Sequence, residues 1–444
     1  MTSMVFHGAA IVRDGPQPRG RAFDAVTWLT IYLIALLGIP SRLVVGPLGS
    51  AGAPSMLIGL VSFAFWLTII VMRRRSSAWL QFYPMRWALG ALIFSCGVSY
   101  ALAMSRPING DEVSPADVSM LALLSWAGTM LLASDAIRTQ SRAAVLVWRI
   151  ALAGGLLALL GLAQFLTATP YTDMIRIPGL TEVASSSLFE RNGLIRPNGT
   201  ATHPIEYGAI LAMILPLALH VALHQQTKWW VLRWIPTVAI LAVIGISGSR
   251  SAYLCAIAGV LVCMFAWTPV LRRWVIGMAV VVLTLISLVW PRMLRIVVGL
   301  FQDPESDPSI TSRTDSFDLA WAFLAEYPLF GRGFGTFLPK YRIFDNQFLV
   351  QLVSVGIIGV LALIGLAVVA ILEMRRVVRT ANVLDGGRTR DLAASLSGSV
   401  VAGFVSMAFF DAFAFPMTMG TLFLVLGVIG ALSRLRREIT PLWK

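Results

Sequence analysis

The sequence predicts an all-α fold: a polytopic membrane helix bundle of about 12 transmembrane helices, with a large extracytoplasmic loop containing an amphipathic helix. Three observations carry this. Of 444 residues, 57% are hydrophobic and only 13% charged, which lies outside the range of soluble globular domains. Apolar runs close to the roughly 20 residues needed to cross a hydrocarbon core recur along the chain. Arginine and lysine collect in alternate breaks between those runs, as expected when basic loops stay in the cytoplasm.

Taken in order, the polar stretch 1–22 has no small-residue cleavage pattern and reads as a cytoplasmic tail before an uncleaved first span at 23–44. The second span, 54–72, stops at Arg73, Arg74 and Arg75. Spans at 84–104 and 117–137 lead to Arg138 and Arg142, and spans at 144–167 and 205–224 to Lys228 and Arg233. The short seventh span, 234–249, and the eighth, 251–270, lead to Arg272 and Arg273, although 231–270 admits another division. A short ninth span at 274–290 precedes the largest break. The tenth, 346–372, ends before the arginines of 375–390, and spans at 392–414 and 417–433 lead to the basic C-terminus. All-round apolarity is itself the membrane signal here, so helical periodicity adds little.

This pattern puts 22 of the 35 Lys and Arg on one side, with both termini cytoplasmic. It also accounts for most of the net charge of +13, so no nucleic-acid partner is implied. Cys96, Cys255 and Cys263 fall within spans, which excludes a disulfide framework or a cysteine metal knuckle. The chain reads as one membrane domain, 1–444, with two long extracytoplasmic loops, 168–204 and 291–345, where any chemistry is expected.

Four stretches draw attention. "LFERNGLIRPNGTATHPIEYG" places Arg191, Arg196 and His203 just above the sixth span, with a turn at Pro197-Asn198-Gly199. His203 and Glu206 have ligand-like spacing, but Pro204 intervenes and no third ligand is evident, so no metal is expected. Asn198-Gly199-Thr200 forms a glycosylation sequon, a triplet common by chance. "GISGSRSAYL" places Arg250 after a Ser-Gly-Ser break, where it either grips an anion beside a helix N-terminus or snorkels to water.

The third stretch, "SRTDSFDLAWAFLAEYPLFGRGFG", predicts an amphipathic helix from Thr314 to Pro328 lying over the outer leaflet. Arg313 at its start opposes the helix dipole and calls for an anionic partner, either a ligand or Asp315 or Asp318. Arg332 lies in a Gly-x-Gly-x-Gly run that lacks the dinucleotide fingerprint, and the glycines allow a tight turn or a close approach of substrate to backbone. In the fourth, "DNQFLVQLVSVGIIG", Asp345 and Asn346 mark re-entry into the membrane; Lys340 and Arg342 read as interface anchors. Within the spans, Arg149 is close enough to the cytoplasm to snorkel, and Asp411 either shares a cavity with Asp345 or faces outer water.

Over about 190–360 these residues resemble the O-antigen ligase and polymerase superfamily of membrane glycosyltransferases. The resemblance rests on the order and spacing of "RPNGTATHP", "SGSR", the Arg-x-Asp-Ser to Gly-x-Gly-x-Gly run and "DNQFLVQLVSVGIIG". It implies an undecaprenyl-diphosphate-linked oligosaccharide donor, an acceptor glycan hydroxyl and a site outside the bacterial cytoplasmic (inner) membrane. Membrane lipid is a further partner, there is room for a chain-length regulator, and no cofactor or metal is needed. By motif, Arg250 and Arg313 would bind the diphosphate with Arg196 assisting, and Arg191, His203, Asn346 and Arg332 would complete substrate binding. Asp345 stands where the family typically carries histidine, which favours polymerisation of repeat units over ligation of a finished glycan. A carboxylate near its ordinary pKa of about 3.9 is a weak base, so burial or a nearby acid must raise it. A transporter and a noncatalytic binder of lipid-linked sugar are the rival readings.

Overall fold

The computed structural model describes residues 23–73, 83–183, 189–191, 194–224, 230–289, 308–381 and 387–439. Each of the twelve predicted spans coincides with a helix. They are α1 (Ala25–Gly38), α2 (Pro54–Arg73), α3 (Pro84–Met104), α4 (Gly110–Ala136), α5 (Gln140–Thr167), α6 (Pro204–His224), α7 (Trp230–Ile246), α8 (Arg250–Met264) and α9 (Pro269–Val289), then α11 (Gln347–Thr380), α12 (Arg388–Ser406) and α13 (Pro416–Ile439). Between α9 and α11 lies α10 (Pro308–Glu326). Among the described residues, seven helices are long and apolar enough to cross a membrane, and α1, α8 and most of α7 are shorter apolar helices. The tail 1–22 and the loop stretch 291–307 lie outside the described residues.

The bundle is built around α6 and α13, which are buried on nearly all sides. Helix α6 packs against α5, α7, α8 and α12, and α13 against α4. On the periphery Phe65 and Met72 of α2, Trp87 and Phe94 of α3, and Trp274 and Met278 of α9 form an exposed apolar girdle. In water such a surface is costly; against lipid it is the expected exterior. Since lipid is as apolar as the core, contact between helices depends on close backbone approach. At the α8–α12 crossing, a Cβ on Gly398 would stand 2.4 Å from the Gly259 carbonyl oxygen.

Charges concentrate at the two ends of the bundle. At one end Arg142 pairs with Asp24 at 2.6 Å, and Arg86 with Asp135 at 2.5 Å, where the Trp66 indole also donates. Buried Glu373 accepts from Arg376, Arg437 and Ser433 at this same end. At the other end two short antiparallel ribbons form, β1 (Leu43–Val45) with β2 (Leu180–Glu182) and β3 (Phe189–Arg191) with β4 (Leu194–Arg196). Buried Arg42 locks the first ribbon by pairing with Asp173 and Glu182.

Helix α11 is not continuous. At Gly356 the backbone turns to φ 73° and ψ −168°, which breaks the hydrogen-bond ladder. The Pro328–Gly333 segment lies against that break and satisfies the freed groups. The Arg332 and Gly333 N–H groups donate to the Val353 and Ser354 carbonyls at 2.8 and 2.9 Å, and the Ile357 N–H donates to the Pro328 carbonyl at 3.0 Å. The Ser99 hydroxyl also donates to the Ser354 carbonyl, at 2.7 Å. Irregular backbone at membrane depth persists only when buried and paired in this way. The close approach anticipated for the Gly-x-Gly-x-Gly run is therefore one of protein to protein.

Two expectations from the sequence are corrected. Helix α10 begins at Pro308, six residues before Thr314, so Arg313 lies in its second turn, where the dipole argument loses force. Its buried side is Ser316, Ala320 and Leu324, with Leu319 and Phe323 packed toward Phe344, Leu349 and Val353; Phe317 and Trp321 are exposed, at 43% and 59%. Helix α12 ends at Ser406, so Asp411 belongs to an irregular connection, 407–415, and not to a span.

Candidate active site

Helices α6, α8, α11 and α13 begin at one mouth of the bundle, and side-chain contacts tie those beginnings together. Asn346 caps α11, its Oδ1 accepting from the Phe348 and Leu349 N–H groups at 2.9 and 3.4 Å. The Gln347 N–H donates to the Met407 carbonyl at 2.7 Å, and Gln347 Oε1 accepts from the Phe413 N–H at 2.8 Å. The 407–415 connection is thereby fastened to the start of α11. Glu206, wholly buried in the first turn of α6, accepts from the Met417 N–H at 3.0 Å and from the Thr202 backbone and hydroxyl. The Arg196 Nε donates to the Ser247 carbonyl at 3.2 Å, bringing β4 to the Ser-Gly-Ser break before α8.

At this mouth Asp411 sits beside Asp345. Burial, with the Asp345 charge adding to it, pushes the Asp411 carboxyl up from 3.8 to about 7. Its Oδ1 is buried without a hydrogen-bond partner, and so is the Nε2 of Gln347 on the element that holds the same connection. An orphaned acceptor and an orphaned donor thus lie in one mouth, where native structures usually pair such atoms. The nearby acid that Asp345 required is therefore present, but the carboxyl poised near neutrality is Asp411.

The other predicted residues fall in several places. His203 ends the turn before α6 and accepts from the Ile205 N–H through Nδ1 at 3.1 Å, which makes it a cap. Burial, aided by the Arg196 charge, lowers it to about 4, so it is neutral at physiological pH. Phe189 meets it edge-on at 4.7 Å. Glu206, three residues on, is committed to backbone and hydroxyl donors. Asn198 is buried, its amide donating to the Ala201 carbonyl, so the sequon is closed to glycosylation.

Arg250 opens α8 behind a knot of serines. The Ser249 N–H is taken by the Ser247 hydroxyl, the Ser249 and Ser251 hydroxyls are 2.9 Å apart, and Tyr253 donates to the Gly245 carbonyl. Arg332 is spent on structure. It pairs with buried Glu112 at 2.7 Å, stacks over Tyr341, and its carbonyl accepts from Arg106. Lys340 pairs with Asp111 on the surface, consistent with anchoring. Arg149, partly exposed, donates to the Thr30 hydroxyl at 2.6 Å. The side chains of Arg191 and Arg313 lie outside the described residues.

An apolar groove of about 370 Å³ runs between α11 and α12, lined by Phe348, Ala367, Ile371, Val401, Phe404 and Ala408 among others. Phe348 and Ala408 are each three residues from one of the two carboxylates, so the groove adjoins the mouth. Sequence reasoning missed Gln347 and this groove, and gave Asp411 equal alternatives, because their meaning depends on the path of 407–415.

Residues 235–364 match the family model described as O-antigen ligase. The O-antigen ligase and polymerase resemblance is thus supported from within α7 to the first half of α11, including Arg250, Arg313, Arg332, Asp345 and Asn346; Arg196, His203 and Asp411 lie beyond the match. No curated protein matches the chain. Among solved structures, a chain described under "Structural coordination of polymerization and crosslinking by a peptidoglycan synthase complex" is 16% identical. That alignment covers 81% of this chain and 99% of that one, at a TM-score of 0.40, too low to carry an argument.

Proposed function

We propose, from the match of residues 235–364 to the O-antigen ligase model, that the chain is a membrane glycosyltransferase that polymerises cell-surface polysaccharide repeat units. The donor is a glycan on undecaprenyl diphosphate, the acceptor is a sugar hydroxyl, and the reaction occurs outside the cytoplasmic membrane. The observation that carries this reading is the Asp345–Asp411 pair with its orphaned oxygen at the mouth of four helix N-termini. Asp411 accepts the proton of the acceptor hydroxyl, a task suited to a base poised near neutral pH. The hydroxyl oxygen bonds to the donor's anomeric carbon as the bond from that carbon to the diphosphate oxygen breaks, and the electron pair leaves with the lipid diphosphate.

Burial, with the Asp345 charge adding to it, holds the Asp411 carboxyl near neutrality, while Asn346 fixes the start of α11. Arg250, with Arg196 and Arg313, stabilises the growing charge on the leaving diphosphate, assisted by the positive ends of α6, α8, α11 and α13. The apolar groove between α11 and α12 suits the polyprenyl chain. The distribution of Lys and Arg supports cytoplasmic termini and an outer site.

Ligation of a finished glycan to a different acceptor is the second reading, favoured by the family description itself. The test incubates purified protein with its own lipid-linked oligosaccharide and separates products by size, with Arg250→Ala alongside. A ladder of repeat units absent from the variant supports polymerisation. An unchanged donor pool that is consumed only when a second glycan or lipid acceptor is added supports ligation. A donor pool unchanged under both conditions, by protein that still binds the donor, overturns the transferase reading.

A further inference from the structure

At the opposite end of α6 and α12 a second constellation forms that plays no part in glycosyl transfer. His220 and His224 are one helical turn apart on α6, so both imidazoles face the start of α12. There Asp391 Oδ2 lies 2.6 Å from His220 Nδ1 and 3.3 Å from His224 Nε2. The three ligand atoms lie within 4.8 Å of one another. About 22 Å of helix separates Asp391 from Ser406 beside the mouth, at 1.5 Å rise per residue.

We propose that His220, His224 and Asp391 form a binding site for a late first-row divalent cation, with zinc as the metal of choice. Two imidazole nitrogens and one carboxylate oxygen suit zinc and its neighbours and disfavour magnesium or calcium, which select oxygen. Donors about 2.0–2.1 Å from a tetrahedral zinc stand roughly 3.3 Å apart. The His224–Asp391 spacing already meets this, and the His220–Asp391 contact must open by about 0.7 Å as the proton of that hydrogen bond leaves.

The supporting shell is also in place. The Trp267 indole donates to Asp391 Oδ1 at 2.7 Å, which fixes the carboxylate and leaves Oδ2 directed at the histidines. His220, Asp391 and Trp267 are all buried, whereas a quarter of the His224 side chain is exposed. Solvent can therefore enter on the His224 side and supply a fourth ligand. Bound there, the cation joins α6, α12 and the α8–α9 connection at the end of the bundle far from the carboxylate pair.

The experiment uses full-length untagged protein in detergent, stripped with a chelator and titrated with zinc chloride against a chromophoric zinc indicator. The expected result is one zinc per chain, affinity at least 100-fold weaker in His224→Gln, and a thermal midpoint raised by zinc in the wild type alone. Trp267→Phe keeps all three ligands and is expected to bind about tenfold more weakly, which separates ligand loss from misfolding. A wild-type protein that takes up no stoichiometric zinc, or a His224→Gln protein that binds as the wild type does, overturns the site and leaves the cluster as a hydrogen-bonded staple.

Discussion

Replacing Asp411 with asparagine removes a charge that the fold holds at a cost. The unfolded chain gives up this proton near 3.8 and the folded chain keeps it to about 7, so between those values the folded state binds the extra proton. Stability contributed at this position therefore falls as pH rises through that window and stays lowered above it. A rise of about three pH units corresponds to an upper bound of roughly 4 kcal/mol, reduced by whatever solvent reaches the loop. Asp411→Asn is thus expected to raise the thermal midpoint at about pH 8, and to make little difference at about pH 3, below both values, where both states are largely protonated. The same variant is expected to lose 10²- to 10⁴-fold in glycan transfer, the usual contribution of a positioned base. Denaturation followed by tryptophan fluorescence across pH, paired with the product ladder, measures both. A variant that transfers glycan within about threefold of wild type, or that is less stable than wild type at about pH 8, refutes the assignment.

Three further outcomes are expected. Asp345→Asn removes the like charge beside Asp411, so the rise of transfer rate with pH should move to lower pH; an unmoved profile would show that the two carboxylates do not interact. Gly356→Ala should cost more than about 2 kcal/mol, because φ 73° is strained for alanine and its Cβ would lie 2.4 Å from the Leu329 carbonyl oxygen. Gly365→Ala, on the same helix with open space around it, should be neutral or stabilising by up to about 1 kcal/mol, and comparing the thermal midpoints checks the pair. His203, lowered to about 4, should make the protein less stable as pH falls from 6.5 toward 4, since only the unfolded chain takes up the proton. His203→Asn keeps a cap and should flatten that loss, and the pH dependence of the midpoint measures it.

The sequence by itself determined the membrane bundle. Lipid requires every backbone group to be paired within a helix, so each apolar run near 20 residues announces a span without reference to its neighbours. Residues 84–104 and α3 coincide for that reason. The sequence also determined the re-entry at Asp345 and Asn346, since a polar pair before an apolar run reads locally as a cap. It did not determine which carboxyl is poised near neutrality, because that follows from burial and from the approach of residue 345 to residue 411 across two helices. Nor did it reveal that Arg332 pairs with Glu112, 220 positions away, or that the glycines around it seal a broken helix. Charge, polarity and turn chemistry are local and can be read from the chain. Desolvation and partner choice are properties of contacts distant in sequence, and packing alone decides them.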